Sequence, residues 1–169
     1  GESSNATDDV FISMAQELNA PISFADKKRY VSDWSHENGY LVTDIVDNRN
    51  GERLRCQLDL PGYYQLKNII TVSEVVYQLT MKSFELPSDK MLSGLKQVKK
   101  LTGLHGRWET IHQHPSVILD VAHNEDGMKE LVMQLELTDY HVLHIVIGMV
   151  KDKEYEKVLA LLPKEAQYY

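Results

Sequence analysis

The chain has 169 residues, of which 43% are hydrophobic and 25% are charged, and its formal net charge is −7. This is ordinary globular composition, and the length is enough for one medium domain or two small ones. The acidic balance argues against a nucleic-acid-binding surface, which needs clustered Lys and Arg. Cys56 is the single cysteine, so no internal disulfide is possible. No apolar run reaches the ~18–20 residues of a membrane span and no signal peptide is visible, so we expect no membrane partner and a cytoplasmic location.

The chain opens with a predicted helix. Thr7 is followed by two acids, a pattern typical of a helix start with a capping hydroxyl and negative charge in the first turn. Apolar residues then recur at helical spacing as far as Leu18. Pro21 ends this pattern, and residues 22–24 are a candidate strand.

A hairpin is predicted next. Residues 40–47 and 52–60 are extended runs, and apolar residues alternate in the second run, so one of its faces is buried. The Asn-Gly pair at 50–51 favours the positive φ of a tight turn. Cys56 lies on the alternating apolar face, which favours a buried strand residue over a nucleophile.

Two helices complete the first region. Residues 64–82 carry an apolar face at helical spacing, and Pro87 starts a shorter helix. Gln65 and Asn68 are three residues apart, so they share a face of the long helix, where two carboxamides could read the edge of a base. The alternative is that they are two polar residues on a solvated face.

The pattern changes in the last part of the chain. Apolar strands are predicted at 117–119 and 142–147, and helices at about 124–135 and 152–162, with a further strand beginning near Ala166. A wholly apolar strand is expected where both faces of a sheet are covered. The alternation of strand and helix predicts parallel strands with crossover helices. We therefore expect 117–119 and 142–147 to be adjacent and parallel.

The residues that could carry chemistry follow the first of these strands. Asp120 lies at its carboxyl end, where open α/β sheets bind ligands, and Asn124 can cap the next helix, whose N–H groups favour phosphate. His123 is in the same turn and could donate to a phosphate or an acyl intermediate. The guanidinium of Arg107 suits phosphate. The local alternatives are a capped helix start with a surface histidine, and a surface salt bridge at Arg107.

The sequence predicts neither a metal site nor a phosphate loop. His105, His112 and His114 surround this segment, but no second ligand cluster accompanies them, so we expect no metal site. The phosphate-loop pattern G-x-x-x-x-G-K-[ST] does not occur in the sequence.

Four segments, taken in order, carry a family pattern. They are 60–68 (LPGYYQLKN), 101–109 (LTGLHGRWE), 119–124 (LDVAHN) and 147–153 (IGMVKDK). Together they resemble the folylpolyglutamate synthase and dihydrofolate synthase family of the Mur ligase superfamily. The chain departs from the family pattern at three positions, where His, Gly and Pro are usual: Tyr64, Val121 and Glu125.

The resemblance implies an α/β fold and a reaction. Residues 1–100 would be the C-terminal part of a Mur ligase central ATP-binding domain, made of a hairpin plus helices. Residues 101–169 would be the N-terminal part of the C-terminal ligase domain, which is the first half of a Rossmann-like open parallel sheet domain, with the linker at about 99–106. The implied reaction is ATP-dependent addition of L-glutamate to a folate or to dihydropteroate through an acyl phosphate.

The resemblance also assigns roles to residues. Asn68 would contact adenine, Arg107 and Asp120 would contact the rest of the nucleotide, and His123 would be the catalytic residue near the reacting phosphate. We expect Arg107, Asp120 and His123 to cluster at the carboxyl ends of the strands. The ligands of Mg²⁺ and the phosphate loop would lie outside the chain, which is then expected to be an inactive fragment, truncated at both ends. The alternatives are a Mur ligase of cell-wall synthesis and a non-catalytic binding or scaffold module of the same fold.

Overall fold

A computed structural model describes residues 2–149 and 155–169. The chain divides into two units, Gly1–Leu104 and His105–Tyr169. Both combine helices with small sheets, so the fold is mixed α/β, as predicted. None of the helices in the described ranges is long and apolar enough to cross a bilayer.

The first unit contains a three-stranded antiparallel sheet and four α-helices among its described residues. Its elements are α1 (Asp8–Glu17), a 3-10 turn (Ala25–Lys27), β1 (Arg29–Glu37), β2 (Tyr40–Asp47), β3 (Arg53–Leu58), α2 (Gln65–Met81), α3 (Ser88–Leu95) and α4 (Val98–Thr102). The strand order is β1-β2-β3, and β2 pairs with both neighbours in antiparallel register. The predicted hairpin and the predicted long helix are therefore confirmed.

The strand β1 is absent from the predicted elements. It is joined to β2 by a two-residue turn, because Glu37 pairs with Tyr40. The two turn residues, Asn38 and Gly39, have φ values of 52° and 81°, as this type of hairpin turn requires. The Asn-Gly pair was a visible signal, but the strand before it is mostly polar and half exposed, so it lacks the alternation on which a prediction depends.

Residues 22–24, predicted as a strand, do not form one in the described structure. Their backbone instead enters the 3-10 turn, and the hydroxyl of Ser23 donates to the carboxylate of Glu74 at 3.1 Å. The capping role expected for Thr7 is also wrong, because in the part of the chain that the structure describes its hydroxyl makes no cap hydrogen bond. The helix α1 itself is confirmed.

The core of the first unit lies between the sheet and helices α2 and α3. Its buried residues are Leu41, Ile45, Cys56, Leu58, Leu66, Ile69 and Leu95. Cys56 is 2% exposed, which confirms that it is a buried strand residue. Burial raises the pKa of its thiol to about 11. The thiol is therefore protonated and unreactive near neutral pH.

The second unit contains two small sheets among its described residues. Its elements are β4 (Glu109–Gln113), β5 (Ser116–Leu119), α5 (Glu125–Glu136), β6 (His144–Ile145), α6 (Tyr155–Leu159) and β7 (Gln167–Tyr168). β4 and β5 form an antiparallel hairpin, and β6 and β7 form a parallel pair. Met128 of α5 packs with Val158 and Leu162 to form the core.

The expectation that 117–119 and 142–147 are adjacent parallel strands is wrong for the described residues. β5 pairs with β4, which precedes it in the chain, and the parallel partner of β6 is β7. Val117 and Leu119 are 41% and 43% exposed, so the apolar composition of this strand does not mean that both its faces are covered. The motif residues 150–153 lie outside the described residues.

Candidate functional site

Asp120 directly follows β5, and its carboxylate joins two segments of backbone. One oxygen accepts a hydrogen bond from the N–H of Trp108 at 2.8 Å, and the other accepts from the N–H of Ala122 at 2.9 Å. Glu109 and Leu119 are paired at this end of the β4–β5 ladder. The segment that precedes β4 therefore lies beside the turn that follows β5, and Asp120 holds the two together.

Gly106 makes the second link between these segments. Its carbonyl accepts a hydrogen bond from the N–H of Val121 at 3.1 Å. Its φ is 70°, in the left-handed region, and a Cβ at this position would lie 2.5 Å from Cγ1 of Val121. Backbone conformation and close approach therefore both require glycine here.

Arg107 is half-buried and lies in the chain between Gly106 and Trp108, whose backbone groups are both hydrogen-bonded. One terminal nitrogen of its guanidinium donates to the carbonyl of Gly106 at 3.3 Å. Within residues 2–149 and 155–169 its side chain makes no ion pair. A guanidinium has five N–H donors, so most of the hydrogen-bonding capacity of Arg107 is available to an external anion.

His123 and Asn124 occupy the turn after Asp120. Nδ1 of the exposed His123 ring lies 3.1 Å from the carbonyl of Val121, so in the neutral ring Nδ1 carries the proton and Nε2 is the acceptor. The side chain of Asn124 accepts a hydrogen bond from the N–H of Gly127 at 2.8 Å, which confirms its predicted capping of α5. Arg107, Asp120 and His123 thus lie in segments joined at the same end of the β4–β5 hairpin.

Asn68 belongs to the first unit, on the first turn of α2. Its amide nitrogen donates to the side-chain oxygen of Gln65 at 2.8 Å, so the two carboxamides share a helix face as predicted. Gln65 is 4% exposed, whereas Asn68 is exposed. The buried Gln65 therefore orients the amide group of Asn68 and leaves its oxygen as an acceptor.

Glu109 and Trp108 were not among the predicted site residues. The carboxylate of Glu109 accepts from the N–H of Gly106 at 3.0 Å, and both its oxygens lie 3.1 Å from Nδ1 of His105. Trp108 is 8% exposed and has a φ of 52°, which is uncommon for an aromatic residue. The signal for both was their place beside Arg107 in the 106–109 segment.

Two of the three histidines of this region contact other groups of the protein. His105 contacts Glu109, and Nδ1 of His112 lies 2.7 Å from the carbonyl of Pro115. No group of three or more His, Cys, Asp or Glu side chains in the described ranges could hold a metal ion.

A second polar cluster, in the first unit, was also not predicted. Arg49 donates to both oxygens of Asp47 at 2.7 and 2.8 Å, and Arg29 pairs with Asp47 at 2.9 Å. Glu74, only 4% exposed at its side chain, pairs with the same two arginines at 2.9 and 3.2 Å. The hydrogen bond from Arg49 lowers the pKa of Asp47 to about 2.

This cluster beside α2 balances its own charges. Burial raises the pKa of Glu74, but hydrogen bonds from Gln78, Ser23 and Arg49 outweigh this effect and lower it overall. Arg49 also stacks on the ring of Tyr77 at 3.7 Å. The cluster borders a cleft of about 670 Å³. The two arginine charges are matched by two carboxylate charges, and these ion pairs join the sheet to α2.

Comparison with known proteins finds a family model that matches the second unit. Residues 106–169 match the model of the Mur ligase, glutamate ligase domain. The chain is 28% identical over 122 residues to a probable bifunctional folylpolyglutamate synthase/dihydropteroate synthase of Haloferax volcanii, covering 72% of this chain and 14% of that protein. It is 30% identical over 92 residues to a dihydrofolate synthase/folylpolyglutamate synthase of Buchnera aphidicola, covering 54% and 21%.

Another relative aligns over a longer stretch. The chain is 24% identical over 168 residues to a UDP-N-acetylmuramoyl-L-alanyl-D-glutamate–2,6-diaminopimelate ligase of Prochlorococcus marinus, covering 89% of this chain and 31% of that protein. The chain thus spans less than a third of the length of each of these relatives.

Solved structures share the fold over nearly the whole chain. An FPGS–AMPPCP–folate complex superposes with a TM-score of 0.83 at 19% identity, covering 99% of this chain and 40% of that one. Folylpolyglutamate synthase of Mycobacterium tuberculosis in complex with ADP gives a TM-score of 0.75 at 20% identity, covering 95% and 35%. Residues 106–169 therefore match the glutamate ligase domain of the Mur ligases, and the chain shares its fold with folylpolyglutamate synthases.

Proposed function

We propose that this chain is part of an ATP-dependent ligase that adds L-glutamate to a folate substrate. In this proposal residues 1–100 are the C-terminal part of the central ATP-binding domain, and residues 101–169 are the N-terminal part of the C-terminal ligase domain. The domain match at 106–169 and the fold shared with folylpolyglutamate synthases support this assignment. The solved relatives include complexes with AMPPCP, ADP and folate, which supports ATP and a folate as the ligands.

The observation that carries the proposal is the link between Asp120 and the backbone around Arg107. The 2.8 Å hydrogen bond from Trp108 to Asp120 brings the Arg107 segment to the turn that contains His123. A guanidinium, a carboxylate and an imidazole are thereby supplied at one end of the β4–β5 hairpin. The guanidinium and the imidazole suit phosphate oxygens, and the carboxylate suits a hydroxyl donor such as that of a ribose.

Each residue has a proposed role. Arg107 binds phosphate oxygens and offsets the negative charge that is redistributed during phosphoryl transfer. Asp120 accepts from the ribose, Asn68 contacts adenine through its free oxygen, and the Nε2 atom of His123 lies near the reacting phosphate. ATP supplies the phosphoryl group, and Mg²⁺ screens its charge. None of the residues 2–149 and 155–169 is proposed as a ligand of Mg²⁺.

The proposed reaction has two steps. A folate carboxylate oxygen attacks the γ-phosphorus, the bond to the β-phosphate bridging oxygen breaks, and an acyl phosphate and ADP form. The amine of glutamate then attacks the acyl carbon, loses a proton and displaces inorganic phosphate, which leaves an amide. Positioning of charge is the main contribution that protein side chains make to such transfers.

The test is phosphate release from Mg-ATP, with the gene that encodes this chain expressed whole. We expect release that depends on both L-glutamate and a folate or dihydropteroate. Arg107→Ala should lower kcat by on the order of 10²–10³-fold, as loss of one transition-state charge contact does elsewhere. The matched control is Arg53→Ala, at an exposed position of β3 in the first unit, which should leave kcat unchanged.

The 169-residue chain by itself should bind Mg-ATP with a dissociation constant of about 1 mM or weaker. Its three proposed contacts each contribute roughly 1.5–3 kcal/mol, and association costs several kcal/mol. Calorimetric titration measures this directly. Micromolar binding would mean that the chain holds a nucleotide site other than the one proposed.

A Mur ligase of cell-wall synthesis is the second candidate, because the Prochlorococcus enzyme aligns with 89% of the chain. The same assay separates the two. Phosphate release that requires a nucleotide-linked sugar peptide and a diamino acid, and that does not respond to folates, would assign the chain to the cell-wall enzymes. No release with either substrate pair would favour a non-catalytic module.

A further inference from the structure

Carboxylates hold the backbone N–H groups of the two residues next to Arg107, Gly106 and Trp108. Before it, the N–H of Gly106 donates to Glu109 at 3.0 Å, and after it, the N–H of Trp108 donates to Asp120 at 2.8 Å. The carbonyl of Gly106 is held as well, by the N–H of Val121. The backbone that carries Arg107 is thus fixed at three points.

This backbone needs to be fixed, because Trp108 has an unfavourable conformation and Gly106 is free to adopt many others. Gly106 and Trp108 both have positive φ, at 70° and 52°. Glycine adopts this region freely, but a buried aromatic residue does so only where its surroundings determine the conformation. The hydrogen bond to Asp120 and the burial of the Trp108 ring provide that determination on one side of Arg107, and Glu109 provides it on the other.

Both carboxylates accept hydrogen bonds from backbone N–H groups. The hydrogen bond of the Arg107 side chain goes to the carbonyl of Gly106, not to Glu109 or Asp120. Glu109 is well placed for a fixed contact, since its side chain is only 13% exposed and also contacts His105. Two acids therefore fix the backbone that carries Arg107.

We propose that Glu109 is a positioning residue for Arg107, acting with Asp120 to hold the guanidinium ready for an anion. The inference rests on the proposed function in taking that anion to be a nucleotide phosphate. A guanidinium that is oriented in advance loses less conformational freedom on binding, which favours affinity. Loss of Glu109 should therefore weaken phosphate binding although Glu109 itself has the wrong charge to contact phosphate.

The test uses the ¹⁵N-labelled 169-residue chain and its Glu109→Ala, Glu109→Gln and Glu109→Asp variants. Glu109→Ala should speed amide exchange at Gly106 about tenfold or more and increase fast motion of the Arg107 amide. Glu109→Gln keeps an acceptor and should restore both values. Glu109→Asp keeps the charge but shortens the side chain by one methylene, so it should resemble the alanine variant.

Two controls separate positioning from general destabilisation. Glu136→Ala removes an exposed carboxylate at the end of α5 and should change nothing. Met128→Ala weakens the core of the second unit and should lower its melting temperature without changing the fast motion of Arg107. If Glu109→Ala does not fold, Glu109→Asp is the variant that tests the inference. Amide exchange at Gly106 and fast motion of the Arg107 amide that match the wild type in Glu109→Asp would overturn it.

Titration with tripolyphosphate then tests the consequence. The Nε resonance of Arg107 should shift in the wild type, and binding should weaken by about tenfold in Glu109→Ala and remain unchanged in Glu109→Gln. If tripolyphosphate does not shift the Nε resonance of Arg107 in the wild type, the proposed function is contradicted. The fast motion of the Arg107 amide in the Glu109 variants then still tests whether Glu109 positions Arg107. Equal binding and equal order in wild type and Glu109→Ala would overturn it.

Discussion

Removal of Glu74 should destabilise the first unit strongly, because its carboxylate is buried between two arginines. The side chain is 4% exposed and accepts from Arg29, Arg49, Ser23 and Gln78. Removing one partner from a buried ionic cluster typically costs 3–5 kcal/mol, since the other charges stay buried without compensation.

The geometry sets the expected value within this range. After Glu74→Ala, Asp47 still pairs with both arginines, at 2.9 and 2.7 Å, so one positive charge rather than two loses its partner. Arg49 is 27% exposed at its side chain and can turn partly towards solvent. We therefore expect the lower end, about 3 kcal/mol.

Hydrogen exchange of the slowest β2 amides is the suitable assay, because it reports opening of the first unit alone. A loss of about 3 kcal/mol corresponds to exchange roughly 10²-fold faster. Glu85→Ala removes an exposed acid shortly after α2 and should change the free energy of unfolding by less than about 0.5 kcal/mol. A Glu74→Ala effect as small as that of the control would refute the view that this cluster ties the sheet to α2.

Three further outcomes are expected. The folded-state pKa of Asp47 is lowered from 3.8 to about 2. Its contribution of roughly 2 kcal/mol to the free energy of unfolding is therefore present above pH 3.8 and is lost as the pH falls towards 2. Asp47→Asn should flatten this part of the acid unfolding curve. Gly106→Ala should destabilise the second unit by about 1–3 kcal/mol in thermal unfolding, and Val121→Gly should recover the part due to the 2.5 Å contact but not the part due to the positive φ. Asn124→Ala should cost about 1 kcal/mol in urea titration through loss of the α5 cap, and a wild-type midpoint would contradict the role given to its hydrogen bond with Gly127.

Features with a local signature were predictable from the sequence. The β2–β3 hairpin follows from alternation and an Asn-Gly pair, the helix α2 from its apolar face, and the start of α5 from Asn124. In each case the deciding residues lie within a few positions of one another, so propensity and periodicity are enough. Asp120 follows the strand β5 as predicted, but the described partner of this strand is antiparallel rather than parallel.

Features that depend on distant partners were not predictable. An apolar run at 117–119 indicates a strand but does not name its neighbour, and the antiparallel partner β4 was overlooked. The charged cluster joins Arg29 to Glu74, 45 positions apart, and leaves no periodic pattern. Similarly, nothing in the order of residues 106–109 says that Glu109 turns back to the N–H of Gly106. The roles of Asn68, Arg107, Asp120 and His123 stay predictions.

The burial of Cys56 has a practical consequence for labelling. At 2% exposure and a thiol pKa of about 11, about one molecule in ten thousand carries the reactive thiolate at pH 7. Cys56 is also the only cysteine in the sequence. A cysteine introduced at an exposed position in each unit can therefore accept a fluorophore while the native thiol stays unmodified. Distances between the two units, with and without nucleotide, can thus be followed by energy transfer on a chain whose core is unaltered.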